Sequence, residues 1–258
     1  MSFLKDVTAA RRADARARSN QIAELRARVA ELEPARGFAQ ALAAESLSLI
    51  AEVKRSSPSV GVINHDIDPA ERAAAYQAGG ASAVSVLTEP EHFAGSLEDL
   101  RSARSGCDLP IIRKDFLCEE LHLLEARVAG ADAILLIVAA LDPSELADLH
   151  EMARGFGLDV LVEVHDEDEV GTALEAHARI VGINTRNLKT LEVDPSQIAK
   201  VRPSIPDGVL IVGESGIKQR SDVEAIEGLG VDAILVGEAL MRSTDVAATI
   251  DSLLGRVR

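Results

Sequence analysis

The chain of 258 residues has no tryptophan and few other aromatic residues, with five phenylalanines and one tyrosine. A core without large rings must consist mainly of Ala, Val, Ile and Leu, which suits Ala-rich helices and strands of β-branched residues. Only two cysteines occur, Cys107 and Cys118, and their spacing is not that of a metal site. We expect both to be reduced thiols in a cytoplasmic protein.

Basic residues are also scarce, since 27 Lys and Arg face 42 Asp and Glu and give a net charge of −15. Nucleic acids and anionic membranes attract clustered Lys and Arg, so this balance argues against either as a partner. An apolar run of about 20 residues, the length that a membrane-spanning helix needs, is missing as well. We expect a small-molecule partner and a chain that is a monomer or a weak homo-oligomer.

Motifs for metals and cofactors are missing too. The six histidines are scattered, and neither His-x-His nor His-Glu-x-x-His occurs. The chain also has no P-loop. The sequence therefore predicts a site without metal or cofactor, in which carboxylates, lysines and hydrogen bonds do the chemistry.

Two patterns of apolar residues divide the chain. Residues 2–33 have loose helical spacing and no strand signal, and Pro34 and Gly37 end this run. From Leu47 onward, short apolar runs alternate with Ala-rich helical segments, which predicts a parallel sheet buried on both faces. The eight predicted strands are Leu49–Val53, Ala83–Leu87, Pro110–Ile112, Ala133–Val138, Asp159–Val162, Ile180–Ile183, Val209–Val212 and Ala233–Val236.

Eight strand–helix units in about 210 residues fit a closed barrel better than an open doubly wound sheet. The Gly-x-Gly-x-x-Gly of dinucleotide-binding open sheets does not follow the first strand. We therefore predict an α/β fold, a (β/α)8 TIM barrel over residues 47–258 with an N-terminal helical extension over residues 1–46, in a single domain overall. The extension either covers an exposed end of the barrel or helps to close a site.

Charged and polar residues follow six of the predicted strands. In such barrels the functional groups come from the carboxyl ends of the strands. Side chains two residues apart share a strand face, which pairs Glu52 with Lys54, Glu163 with His165, and Asn184 with Arg186. Each charge alone could be a solvated loop residue, but charges on many strand ends together predict a site at the barrel mouth.

Glycines after the seventh and eighth strands predict a phosphate site. Barrels often bind phosphate on backbone N–H groups of these two loops. Gly213, Gly216 and Gly237 would let the backbone approach an anion, and Ser57 and Ser215 could add hydroxyl donors. The alternative is that these glycines only make tight turns.

With these residues, the chain resembles the indole-3-glycerol phosphate synthase family over nearly its whole length. The motifs that carry the resemblance are Ile-Ala-Glu-Val-Lys-Arg-Ser-Ser-Pro-Ser at 50–59, Arg-Lys-Asp-Phe at 113–116, Val-Glu-Val-His at 162–165, Gly-Ile-Asn-Thr-Arg-Asn-Leu at 182–188 and Gly-Glu-Ser-Gly-Ile at 213–217. The resemblance implies a carboxy-lyase of tryptophan biosynthesis that needs no cofactor. Its substrate would be 1-(2-carboxyphenylamino)-1-deoxyribulose 5-phosphate, whose ring closure releases CO2 and water.

Roles follow from the resemblance and the chemistry. We expect Lys114 to protonate the ketone during ring closure, with a pKa lowered toward neutrality by Arg113 and Lys54. Lys54 would bind the anthranilate carboxylate with Arg186. For the dehydration, Lys54 would act with either Glu52 or Glu163, a choice that the sequence leaves open.

The remaining candidates bind or orient the substrate. Asn184 and Glu214 would orient the sugar hydroxyls and the lysines, and Phe93 and Phe116 would stack on the aromatic ring. The candidate phosphate ligands are Ser57, Ser215, Gly216, Gly237 and Glu238.

Three alternatives remain open from the sequence. The first is a sugar-phosphate lyase or aldolase that forms a Schiff base on Lys54 or Lys114. The second is a barrel like phosphoribosylanthranilate isomerase, whose first strand would carry a cysteine where this chain carries Glu52 and Lys54. The third is a barrel that only binds phosphate ligands, without catalysis.

Overall fold

Eight parallel strands close into a barrel in the computed structural model, which describes residues 3–187 and 190–256. Each strand pairs with its neighbours along the chain, and β1 pairs with both β2 and β8. The predicted (β/α)8 barrel is confirmed. The strands are β1 (Ser48–Val53), β2 (Ala83–Leu87), β3 (Ile111–Lys114), β4 (Ala133–Ile137), β5 (Asp159–Val164), β6 (Ile180–Asn184), β7 (Leu210–Glu214) and β8 (Ala233–Val236).

Helices surround this barrel. Asp68 and Asp142 cap two of them, each with a proline in the first turn. The helices are α1 (Phe3–Ala17), α2 (Ile22–Ala30), α3 (Phe38–Leu42), α4 (Pro69–Ala78), α5 (Leu97–Gly106), α6 (Glu120–Val128), α7 (Pro143–Gly155), α8 (Glu167–Glu175), α9 (Gln197–Val201), α10 (Arg220–Glu227), α11 (Glu238–Arg242) and α12 (Val246–Leu254). No helix among the described residues is long and apolar enough to cross a membrane.

Alternation along the strands divides the barrel into two apolar layers. Outward residues of the strands pack against the helices, whereas inward residues such as Ile50, Ile112 and Leu161 form a separate core inside the barrel. Phe38 and Leu42 of α3 belong to that inner core and are fully buried. On five of the strands the next inward position toward the carboxyl end is polar or charged, and these residues are Glu52, Lys114, Glu163, Asn184 and Glu214.

The N-terminal helices lie along the barrel from one end to the other. At the carboxyl end, Phe3 of α1 lines the barrel mouth, and Arg11 donates to Asp115 over 2.8 Å. At the amino end, the backbone N–H of Ala39 in α3 donates to Asp159 over 2.8 Å. These segments therefore both cover the barrel and contribute to its mouth.

Tyr76 ties α4 to the site-bearing strand β1. It is fully buried, and its hydroxyl donates to the backbone carbonyl of Glu52 over 2.8 Å. We expect Tyr76→Phe to lower the free energy of unfolding by about 1 kcal/mol, because the ring still packs but the hydrogen bond is lost. Urea unfolding measures this difference. An unchanged midpoint would contradict the structural role of this bond.

Candidate active site

The carboxyl ends of the strands enclose a cavity of about 790 Å³. Fourteen of the predicted site residues, drawn from seven separate stretches of the chain, line it. They are Glu52, Lys54, Ser57, Phe93, Lys114, Phe116, Glu163, Asn184, Arg186, Glu214, Ser215, Gly216, Gly237 and Glu238. The structure thus brings together groups that the sequence places up to 186 positions apart.

Lys114 lies at the centre of a buried charge cluster. Its Nζ is 3.0 Å from Glu163 Oε2 and 3.3 Å from Glu214 Oε2, which project inward from β5 and β7. Both carboxylates are almost completely buried. Three strands therefore hold one ammonium group against two carboxylates inside the mouth of the barrel.

The predicted lowering of the Lys114 pKa toward neutrality is wrong, in direction as well as in cause. Burial does lower this pKa, but Glu163, Glu214 and Glu52 outweigh burial and raise it above its ordinary value. Arg113 cannot act as the expected neighbouring cation, because it faces outward and is occupied by Thr88 and Asp115. Adjacent residues of a strand point to opposite faces. The surrounding carboxylates therefore favour the ammonium form of Lys114.

A second lysine–carboxylate pair lies on β1. Lys54 Nζ donates to Glu52 Oε1 over 2.6 Å, and Ser85 donates to Glu52 Oε2 over 3.3 Å. The predicted shared face of Glu52 and Lys54 is confirmed. Gly237 gives this pair room, because a Cβ at that position would lie 2.5 Å from Glu52 Oε1 and 3.0 Å from Lys54 Nζ.

Polar groups after β6 and β7 are linked to one another. The Ser215 hydroxyl donates to Asn184 Oδ1 over 2.8 Å, and the backbone N–H of Arg186 donates to the same oxygen over 3.0 Å. Arg186 Nη1 donates to the carbonyl of Leu191 over 2.7 Å. Asn184 thus fixes the position of two predicted substrate ligands.

The glycines that were predicted to approach an anion do not all lie at the cavity. Gly216 lines the cavity with a φ of +76°, a conformation that favours glycine. Gly213 does not line the cavity, because a side chain on its α-carbon would point toward Ile198 and Ile226 in the helix layer. Its predicted part in anion binding is therefore wrong. Glu238 begins α11 and pairs its carboxylate with Arg242 at 3.2 Å, which leaves its backbone N–H as the group suited to an anion.

An aromatic wall forms one side of the cavity. The ring centroids of Phe93 and Phe116 are 6.3 Å apart, and Phe3 packs edge-on against Phe116 at 5.8 Å. Glu89 is buried and accepts the backbone N–H groups of His92 and Phe93 over 2.7 and 3.1 Å. The wall is therefore anchored by a carboxylate rather than by packing alone.

Several contributors were missed by the sequence reasoning. Phe3, Leu191 and Val193 line the cavity from segments without a strand signal. Gly182 lies under Glu214, and a side chain there would collide with that carboxylate. The sequence could have indicated this position, since Gly182 shares the inward face of β6 with Asn184. The last residue of the predicted motif at 182–188 is Leu188, which lies outside the described residues.

Glu214 provides a test of the buried cluster. Burial raises its pKa to about 7, with Lys114 acting in the opposite direction. A carboxyl group that is more basic in the folded state favours folding below its unfolded pKa and loses that contribution as the pH rises through the folded value. Between pH 4.5 and 7, the stability of the parent protein relative to Glu214→Gln should therefore fall by about 3 kcal/mol.

Urea unfolding of both proteins at pH 4.5, 6 and 8 measures this difference. Glu224→Gln is a matched control, because Glu224 is exposed and pairs with Arg220 on the surface helix α10. A Glu214 difference that is constant over this range would contradict the raised pKa.

Fold and cavity together define the class: a (β/α)8 barrel whose mouth carries two lysine–carboxylate pairs, an aromatic wall and two cavity-lining glycines, Gly216 and Gly237. The model of the family "Indole-3-glycerol phosphate synthase" matches residues 4–253. The chain belongs to the indole-3-glycerol phosphate synthase family.

Curated relatives agree with this membership. The chain is 48% identical over 250 residues to an indole-3-glycerol phosphate synthase of Chlorobium phaeovibrioides, a match that covers 95% of this chain and 97% of the relative. It is 50% identical over 233 residues to indole-3-glycerol phosphate synthase 2 of Streptomyces coelicolor, with 90% of each chain covered.

Solved structures show the same fold at low sequence identity. A thiamine phosphate pyrophosphorylase from Pyrococcus furiosus has a TM-score of 0.60 at 18% identity, with 80% of this chain and 93% of that chain covered. An N-acetylmannosamine-6-phosphate 2-epimerase from Clostridium perfringens has a TM-score of 0.60 at 15% identity, with 76% and 88% covered. These two likenesses concern the barrel alone.

Proposed function

We propose that this barrel converts 1-(2-carboxyphenylamino)-1-deoxyribulose 5-phosphate into indole-3-glycerol phosphate, CO2 and water. The observation that carries the proposal is the pair of lysine–carboxylate contacts in one cavity, Lys114 with Glu163 and Lys54 with Glu52. Ring closure and dehydration each need a proton donor, and the cavity offers one lysine for each step. Membership of the family supports the same reaction.

The substrate has two distinct ends, and the cavity offers a matching surface for each. Its phosphate would bind the anion corner, formed by the backbone of Gly216, Gly237 and Glu238 and the hydroxyls of Ser57 and Ser215. At the other end, the anthranilate ring would stack on the aromatic wall, with its carboxylate on Lys54 and Arg186. This placement puts the ketone between the two lysines.

Ring closure forms a bond between the aromatic carbon that carries the carboxylate and the ketone carbon. Lys114 passes a proton to the ketone oxygen as that oxygen gains negative charge. Loss of CO2 then returns an electron pair to the ring and restores its aromaticity. Glu163 and Glu214 hold the ammonium group in place, and Asn184 and Glu214 orient the sugar hydroxyls.

Dehydration removes the new hydroxyl group and a proton from the neighbouring carbon. We assign both transfers to the β1 pair, with Lys54 as the acid and Glu52 as the base. Their contact of 2.6 Å suits a reaction at two adjacent carbons, and Glu52 can return the abstracted proton to Lys54. Glu163 is already engaged with Lys114 at 3.0 Å, which favours Glu52 as the base.

The alternatives have less support. A Schiff base requires a neutral amine, whereas the surrounding carboxylates raise the Lys114 pKa. The β1 strand carries Glu52 and Lys54 where an isomerase-like barrel would carry cysteine. A barrel that only binds phosphate would not need a buried lysine held between two carboxylates, as Lys114 is between Glu163 and Glu214.

Indole fluorescence tests the proposal directly. The chain has no tryptophan and a single tyrosine, so the protein contributes little emission where indoles emit. Purified protein mixed with the substrate should produce a growing indole signal whose rate is proportional to protein concentration. A flat trace with folded protein, confirmed by circular dichroism, would refute the proposal.

A further inference from the structure

The proposed reaction takes up one proton for each substrate, and the following inference rests on that reaction. The substrate carboxylate leaves as neutral CO2, so its negative charge must be balanced by a proton from outside. Dehydration consumes none overall, because the proton that Glu52 removes can return to Lys54. The external proton is therefore required at Lys114, which gives one away during ring closure.

Lys114 is poorly placed to regain this proton directly. Its side chain is only 14% exposed, and that exposed part faces the cavity that the substrate would fill. Behind it lies Glu163, at 3.0 Å, which is 1% exposed. A proton from water must therefore arrive either after product release or through Glu163.

A histidine lies behind Glu163. His165 Nε2 is 3.7 Å from Glu163 Oε1, and neither atom has a hydrogen-bond partner among the residues that the structure describes. Two buried polar atoms that face each other without partners need only a small movement to form a hydrogen bond. The opposite ring nitrogen, Nδ1, is 3.2 Å from Glu169 Oε2, which also accepts the backbone N–H of His165 over 2.6 Å.

The histidine lies at a second cavity, next to the catalytic one. Glu163 lines the catalytic cavity, whereas His165 and Glu169 line a second cavity at the same end of the barrel. We name this second space the side cavity, and its other lining residues include Asp166, Thr185, Asn187, Glu192, Asp194 and Gln197. Water in the side cavity can reach His165 while substrate occupies the catalytic cavity.

We propose that His165 is a proton-relay residue, which recharges Lys114 through Glu163 with protons from water in the side cavity. The imidazolium form can donate at both nitrogens, to Glu163 on one side and to Glu169 on the other. This form satisfies the two facing atoms that otherwise lack partners.

Each transfer balances. After ring closure, the His165 imidazolium passes its Nε2 proton to the Glu163 carboxylate, so an N–H bond breaks and an O–H bond forms. Glu163 then gives this proton to the neutral Lys114 amine and returns to the carboxylate form. The neutral His165 ring turns toward the side cavity, where water supplies the next proton. One proton from solvent thus enters for each CO2 released.

Electrostatics favours this role. Burial lowers the His165 pKa, but Glu169, Glu163 and Glu214 outweigh burial and raise it above its ordinary value near 6.5. Asp166, Glu192 and Asp194 add negative charge around the side cavity. Lys114 is the cation on the far side of Glu163. These carboxylates therefore favour the imidazolium form of His165, which is the form that donates in the relay.

The test is chemical rescue of His165→Asn, which removes the proton carrier. We expect kcat in dilute buffer at pH 7 to fall about tenfold or more, with KM changed less than twofold. Added imidazole should raise kcat toward the parent value in a concentration-dependent manner. Glu169→Gln is the second variant, and it should also lower kcat and respond to imidazole. His177→Asn, an exposed histidine before β6, should match the parent protein.

The outcomes separate a relay from a structural role. A parent-like kcat for His165→Asn and Glu169→Gln in dilute buffer would overturn the relay. A lowered kcat that imidazole leaves unchanged would also overturn it, because a misplaced Glu163 is not repaired by a diffusible proton donor. If His165→Asn fails to fold, the kcat of Glu169→Gln and its response to imidazole test the relay instead. Absence of turnover by the parent protein would instead refute the proposed function, and the relay with it.

Discussion

Lys114→Ala is expected to lower kcat about a thousandfold, the largest effect of any substitution considered. Removal of a general acid costs 10² to 10⁴ in rate, and Lys114 is the ammonium group held by Glu163 and Glu214 in the cavity. KM should change much less, because the phosphate and the aromatic ring bind elsewhere in the cavity. Steady-state kinetics by indole fluorescence measures both constants.

Controls must separate lost chemistry from lost folding. Without Lys114, two buried carboxylates lose their cation, which itself destabilises the fold. Lys114→Arg keeps the charge but offers a group that does not readily release its proton, so it should remain folded and still lose most activity. Lys200→Ala removes an exposed lysine on α9 and should behave as the parent protein. Near-normal kcat in folded Lys114→Arg would refute the role of Lys114 as the acid.

Glu52→Gln is expected to slow indole formation by a factor of 10² to 10³ while ring closure and CO2 release continue. The amide has nearly the shape of the carboxylate, and Tyr76 and Lys54 still hold this end of β1, but it cannot take up the ring proton. CO2 release should therefore exceed indole formation in a single turnover. Rapid quench with carboxyl-labelled substrate measures the two products separately.

Glu163→Gln is the matched comparison for this prediction. Because Glu163 pairs with Lys114, its loss should slow CO2 release and indole formation to the same extent. If Glu163→Gln instead released CO2 ahead of indole, and Glu52→Gln slowed both equally, the assignment of the two carboxylates would be reversed.

The arrangement within each strand could be predicted from the sequence. Period-two alternation is a local property, so it placed Glu52 beside Lys54 and Glu163 beside His165 without knowledge of the fold. The alternation of apolar runs and helices also predicted the closed barrel. Once the barrel closes, all the strand ends meet at one mouth, which made the list of cavity residues predictable.

The contacts between strands could not be predicted in this way. The pKa of Lys114 depends on carboxylates of β5 and β7, which lie 49 and 100 positions along the chain. Its sequence neighbour Arg113 faces the opposite side of the strand, so the prediction that Arg113 lowers this pKa was wrong. For the same reason Gly213 was misplaced, since a glycine pattern does not state which face of its strand meets the cavity.

The position of α1 at the barrel mouth also could not be predicted from local sequence patterns. Phe3 reaches the aromatic wall and Arg11 reaches Asp115, 104 positions further along the chain. Neither contact leaves a pattern in the sequence of α1 itself. The structure therefore adds the N-terminal segment to the site as a contributor of one ring and one buried ion pair.

Mass spectrometry of one reaction tests the central claim most directly. Purified protein is incubated with 1-(2-carboxyphenylamino)-1-deoxyribulose 5-phosphate, with and without borohydride. The masses of the small molecules and of the protein are then measured. The account predicts a product lighter than the substrate by one CO2 and one H2O, and an unmodified protein. Unchanged substrate, or a borohydride-trapped adduct on Lys54 or Lys114, would contradict it.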